Sequence, residues 1–192
     1  MTALPPLETE RLIVRPFVMD DFDALQTFGA VWGSTPEALR RWLSWIVANY
    51  EQLALLEQLP YGDRAVVLKA TGELIGSVGL VPFWIPWGIL PSTQDTESMA
   101  DPVNAKRSAE MALFWMIHEP HRRNGYAAEA ARALIDAMFA RRLSRIVATT
   151  SFDNLPSQAV MHKLGMRVEK NLFPDLEGEW QVVGTLENPI TG

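Results

Sequence analysis

The chain predicts one α+β domain, a mixed sheet of about seven strands flanked by helices. Three observations carry that expectation. The length of 192 residues suits a single domain. Apolar residues at 48% and charged residues at 21% are those of an ordinary globular chain. Short alternating runs and runs at helical spacing follow one another in the order β-α-α-β-β-β-α-β-α-β-β.

Residues 1–8 read as a tail. Arg11-Leu-Ile-Val-Arg-Pro-Phe17 alternates as a first strand ended near Pro16. Asp20, Asp21 and Asp23 open a short helix to about Phe28. Thr35-Pro36-Glu37 is a helix start, with a capping hydroxyl, proline at the first helical position and an acid in the first turn. Leu39, Trp42, Leu43, Ile46, Val47, Tyr50 and Leu53 then recur at helical spacing.

Arg64–Lys69 and Glu73–Val81 are strands joined by a turn at Thr71-Gly72. Residues 82–108 read as an irregular insertion loop, long enough to suggest a function. Glu110–His118 is a strand and Tyr126–Arg142 a helix, with Tyr126, Ala130, Leu134, Ala137 and Met138 inward and Glu129 and Arg132 outward. Ser144–Ser151 is a strand. Asn154 caps a helix that Gly165 closes, and Met166–Asn171 and Glu179–Leu186 are last strands turning at Glu177-Gly178.

Composition removes several function classes. The absence of cysteine excludes disulfide frameworks, iron–sulfur clusters, thiolate zinc sites and a cysteine nucleophile, and makes the cytoplasm the expected compartment. A net charge of −6 argues against direct nucleic-acid binding. The charge is unevenly placed, with 11 Lys/Arg against 7 Asp/Glu in residues 101–170 and 6 against 16 elsewhere. One segment therefore suits an anionic ligand and the rest a cationic or neutral one. Leu74–Gln94 runs 21 residues without a charge, yet its three prolines and three glycines break any membrane-spanning helix. His121 and His162 lack metal-ligand partners at useful spacing, so no metal is expected.

The most informative segment is His118-Glu-Pro-His-Arg-Arg-Asn-Gly-Tyr-Ala-Ala-Glu-Ala130, a strand end, a basic turn and a helix start. A helix N-terminus exposes about four unpaired N–H groups and roughly half a positive charge, which suits phosphate. Gly125 permits close backbone approach, while Arg122 and Arg123 add charge. Neither the dinucleotide fingerprint nor a Walker A loop is present.

Arg122-x-x-Gly125-x-Ala127, followed by Asn154-x-x-Ser157 and Lys163-Leu-Gly-Met166, resembles motifs of the GNAT superfamily of acetyl-CoA-dependent N-acetyltransferases. Thr9-Glu-Arg-Leu-Ile-Val-Arg-Pro16 and Glu73-Leu-Ile-Gly-Ser-Val-Gly-Leu80 resemble the branch of ribosomal-protein N-terminal acetyltransferases. The resemblance spans residues 7 to 187. It implies a mostly antiparallel sheet with a splay between the fourth and fifth predicted strands and four flanking helices. It also implies acetyl-CoA as co-substrate, an amine acceptor and a possible homodimer. Carried over residue by residue, Ile117 and His118 would offer backbone groups to the pantetheine and thioester. Arg123, Asn124, Gly125, Tyr126 and Ala127 would offer amides to the phosphates, and Asn154 would bind a pantetheine amide.

Acetyl transfer needs a neutral amine, a donor for the oxyanion and a hydrogen bond for the departing thiolate. Ser157 is the candidate for the last, because the position where many relatives carry a tyrosine acid is Met161. The branch often has a glutamate base near Ala112, whereas here the acid is Glu110, about 7 Å farther back by strand rise. Asp175, Glu177 and His118 are rival bases. Arg123 stands where relatives commonly have glycine. Phe83, Trp84 and Trp87 are expected to line the acceptor groove or a dimer interface that shapes it, with packing on the core as the alternative. The acceptor is expected to be a protein or peptide N-terminal amine. A small cationic amine, or a non-catalytic acyl-CoA-binding module, is the alternative function.

Overall fold

The computed structural model describes residues 4–29, 32–102, 104, 106–173 and 180–190. Its strands are β1 (Leu7–Glu8), β2 (Leu12–Arg15), β3 (Gly62–Leu68), β4 (Leu74–Pro86), β5 (Arg107–Ile117), β6 (Arg145–Thr150), β7 (Arg167–Lys170) and β8 (Val182–Glu187). Its helices are α1 (Phe22–Gln26), α2 (Pro36–Leu55), α3 (Thr96–Ala100), α4 (Tyr126–Phe139) and α5 (Leu155–Lys163). The strand order is β1-β2-β3-β4-β5-β6-β8-β7, and all recorded pairings are antiparallel except β5 with β6. This is the mixed, mostly antiparallel α+β sheet that the motifs imply, with eight strands and five helices described where about seven and four were expected. The β5–β6 ladder is confined to Ala112↔Val147, at the place where the strands are expected to part.

Two compact units divide the chain, one within Met1–Leu80 and Phe114–Leu134, the other within Val81–Leu113 and Ile135–Gly192. In the first, Thr35 caps α2 by accepting from Ala38 N at 3.2 Å, with Pro36 in the first turn. Leu39, Leu43, Ile46 and Leu53 are buried, as their spacing requires. Leu39, Leu43 and Ile46 pack with Phe17, Phe22, Leu25, Ala65, Val67 and Leu74. Full burial of each large aliphatic side chain is worth about 1.5–3 kcal/mol, which offsets the modest propensity of an aromatic-rich helix. Tyr50 ties the layers together, accepting from Phe17 N at 3.0 Å and donating to Asp63 O at 2.5 Å.

The second unit centres on Ile85, Trp87, Ile89, Leu90, Ala112, Val147 and Val183, with Phe83, Phe173 and Trp180 packed around them. Three sequence expectations change. Residues 1–8 are not all tail: Leu4 is buried and β1 pairs with β2 through Leu7↔Val14 and Glu8↔Ile13. Two residues are too few to show a period. The loop expected from Pro82 is first a strand, because β4 continues to Pro86 and α3 follows. Proline removes only its own donor and its fixed φ suits extended backbone, while burial of Ile85, Trp87, Ile89 and Leu90 holds the segment down. The turn at Glu177-Gly178 and the start at Glu179 lie outside the described residues.

Candidate functional site

At the end of β5 the chain makes a 3-10 turn over Glu119–His121, and α4 starts at Tyr126. Arg123 has φ 64° and Gly125 φ 81°, so two left-handed residues turn the backbone sharply before the helix. The left-handed Arg123 explains why glycine suits that position: only glycine adopts it without steric cost. Asn124 braces the turn, its Nδ2 donating to His121 O and Arg122 O, both at 3.1 Å. A Cβ at Gly125 would lie 3.6 Å from Arg11 Nη2, so the glycine is required by backbone shape. The amides of Tyr126 and Ala127 follow directly, at the positive end of α4.

Internal bonds already engage much of the β5 end. Ile117 O accepts from Arg122 Nε at 2.9 Å, His118 N donates to Ile75 O at 2.8 Å, and His118 O accepts from His121 N at 2.9 Å. Arg122 thus braces the strand end, and both Arg122 and Arg123 are exposed residues of the turn. The His118 ring stacks on Phe28 at 4.5 Å and 15°, and His121 Nε2 pairs with Glu73 Oε1 at 2.9 Å.

Two features of this unit escaped the sequence reading. Glu129 does not turn outward. Its Oε1 accepts from Thr9 Oγ1 at 2.6 Å and Arg11 N at 3.0 Å, and its Oε2 meets Arg11 Nε at 2.8 Å. Burial pushes the Glu129 carboxyl up, but the Thr9 and Arg11 donors outweigh it and the net shift is downward. The other feature is Asp63, buried on the same face of β3 as Ala65 and Val67. Burial pushes its carboxyl up to about 6 against a hydrogen bond from the Trp32 side chain. The available signal was an acid two residues before Ala65, in step with the inward residues Ala65 and Val67 of the strand.

In the other unit, Asn154 caps α5, its Oδ1 accepting from Ser157 N at 3.2 Å, so both residues sit in the first turn as their spacing predicts. Met161 is fully buried, with its sulfur 3.2 Å from where a Cβ on Gly184 would stand. That position packs, which leaves Ser157 as the hydroxyl of the helix start. Glu110 is tied into a network: Ser108 Oγ donates to its Oε1 at 2.7 Å and Arg145 Nη1 approaches at 3.3 Å. Trp87 Nε1 donates to Ser108 Oγ at 2.6 Å, and the Arg145 guanidinium lies 4.9 Å over the Trp87 ring.

The three aromatic candidates for the acceptor separate. Trp87 belongs to the core, Phe83 is half-buried 6.5 Å from the Trp180 ring, and Trp84 is 59% exposed. Trp32 and Trp42 stack at 4.9 Å beside Phe17, while Trp45 is exposed. Asp175 and Glu177, the rival bases, lie outside the described residues. Among the described residues no cluster of His, Asp or Glu could hold a metal, and no helix is long and apolar enough to cross a membrane.

A family model described as an acetyltransferase (GNAT) domain matches residues 11–167. The chain is 43% identical over 168 residues to the uncharacterized N-acetyltransferase YnaD of Bacillus subtilis, covering 85% of this chain and 83% of that protein. Among solved structures, an acetyltransferase from Agrobacterium tumefaciens is 28% identical with TM-score 0.64, over 97% of this chain and 96% of its own. The ribosomal-protein-S5-alanine acetyltransferase of Vibrio fischeri shares the fold at TM-score 0.62 and 19% identity, over 97% and 98%.

Proposed function

Because the chain belongs to the GNAT acetyltransferase family, we propose that it transfers an acetyl group from acetyl-CoA to a primary amine by direct attack in a ternary complex. The observation that carries this reading is the left-handed, arginine-bearing turn at residues 122–125, within the matched region and immediately before α4. Acetyl-CoA supplies the activated acyl group and the thiolate leaving group. Amides of Arg123, Asn124, Gly125, Tyr126 and Ala127 take the pyrophosphate, and Asn154 is the candidate for the pantetheine arm, since the His118 amide and the Ile117 carbonyl are already bonded to Ile75 O and Arg122 Nε.

The amine nitrogen attacks the thioester carbonyl carbon, forming C–N as C–S breaks. The amine gives up a proton, and the sulfur takes one or accepts a hydrogen bond, for which Ser157 is the candidate. His118 and Glu110 are the candidate proton acceptors. Replacing each in turn, Glu110→Gln and His118→Gln, and measuring kcat tells them apart. The acidic balance outside residues 101–170 suits a positively charged acceptor, either a peptide N-terminus or a small cationic amine.

The test is thiol release from acetyl-CoA against N-terminal peptides and polyamines. Turnover on one class is the expected result. Gly125→Val should abolish acetyl-CoA binding in a folded variant, and Ser157→Ala should lower kcat about tenfold or more with binding retained. Acetyl-CoA binding with no turnover on any amine would favour a non-catalytic acyl-CoA module. The Glu110–Arg145 pair and the alanine at position 112 favour that second reading.

A further inference from the structure

The start of β2 is fastened to the start of α4 by one compact network. Lys69 N donates to Arg11 O at 3.0 Å and Lys69 Nζ donates to Thr9 O at 2.6 Å, so Lys69, the residue after β3, fixes residues 9–11. From that fixed segment, the Thr9 hydroxyl, the Arg11 amide and the Arg11 guanidinium all converge on Glu129. Arg11 Nη2 reaches Glu129 Oε2 at 2.5 Å. The same guanidinium lies 4.6 Å over the ring of Tyr126, the first residue of α4. It also stands 3.6 Å from where a Cβ on Gly125 would be.

Electrostatics gives this arrangement a purpose beyond holding the fold. A carboxylate in the first turn stabilises a helix, because it occupies the positive end of the helix dipole. At a helix that must receive phosphate, the same carboxylate competes with the ligand and repels it. A cation joined to Glu129 removes that conflict while leaving the helix-start amides for the ligand. Neither Arg122 nor Arg123 is bonded to Glu129, and Arg122 is engaged with Ile117 O. Arg11, contributed by a distant part of the sequence, is the residue that does so.

We propose that Arg11 is a positioning residue of the phosphate turn. It seats the first turn of α4 against β2 and cancels the charge that Glu129 brings beside the anion-binding amides. The inference rests on the acetyl-CoA reading of the turn. Charge compensation is its main effect, so the defect of Arg11→Ala should be repaired by neutralising Glu129.

The experiment measures acetyl-CoA Kd by calorimetry and Tm by thermal melting for the wild type, Arg11→Ala, Arg11→Lys, Glu129→Gln and the Arg11→Ala/Glu129→Gln double variant. Arg11→Ala should raise Kd about tenfold at low salt, with the difference shrinking as salt screens it. Arg11→Lys should recover part of the loss. The double variant should return Kd to within about threefold of wild type, although its Tm stays lowered. Acceptor KM should not move. An unchanged Kd in Arg11→Ala overturns the proposal, and a double variant as weak as Arg11→Ala overturns charge compensation. If Arg11→Ala does not fold, Arg11→Gln with and without Glu129→Gln gives the same comparison. A wild type that binds no acetyl-CoA defeats the underlying reading itself, a result distinct from loss of the Arg11 effect alone.

Discussion

Arg123 holds a left-handed backbone that costs a residue with a side chain about 1 kcal/mol relative to glycine. Arg123→Gly should therefore leave stability equal or raise it by up to about 1 kcal/mol, while acetyl-CoA affinity falls severalfold and loses part of its salt dependence. Melting curves and calorimetry at two salt concentrations check both halves. Asp63 shows the opposite kind of cost. Its carboxyl is raised from 3.8 to about 6 by burial, so the unfolded chain releases this proton at lower pH than the folded chain. Stability is thus lost as pH rises through that window, and the penalty, about 3 kcal/mol at most, is complete above about pH 6. Asp63→Asn keeps an acceptor for Trp32 and should stabilise the protein by up to about 2–3 kcal/mol at pH 7.5, with the gain vanishing near pH 4. Urea titrations at the two pH values decide it.

At the scale of elements, β4 gathers the largest departure from expectation. Trp84 and Trp87 lie three residues apart in an apolar run, yet one is exposed and the other is core. Trp87→Ala should cost about 3–5 kcal/mol and free the Ser108–Glu110–Arg145 network. Trp84→Ala should change stability by less than about 0.5 kcal/mol, and its expected effect is a raised acceptor KM. Equilibrium unfolding and steady-state kinetics on both variants separate these outcomes. Elements with local punctuation were legible in the sequence. Thr35-Pro36 marked α2 to the residue, and Asn154 and Gly165 bounded α5. The turn before α4 was legible because strand end, basic residues and glycine are contiguous. The Arg11–Glu129 and Tyr50–Asp63 ties were not, because partners 118 and 13 positions apart carry no mutual signal in one chain.

For the molecule as a whole, the family match and the strand order agree on an acetyltransferase scaffold, and the fold class was readable from element order alone. What sequence could not supply was the state of each polar group once folded. Glu110, read as a candidate base set back along its strand, is bound by Arg145 and Ser108. The short ladder between β5 and β6 carries one more consequence. β6 is in register with β8 along its whole length, from Arg145↔Glu187 to Thr150↔Val182, but meets β5 only at Ala112↔Val147. In an antiparallel pair the N–H groups of alternate residues turn toward the partner strand, and the others turn away. Amide hydrogen exchange along β6 should therefore be two-toned. Amides directed at β8 should exchange only with large-scale opening, whereas those directed at β5 beyond the single bridge should exchange orders of magnitude faster. Uniform protection along residues 145–150 would mean that the two strands are zipped together in solution.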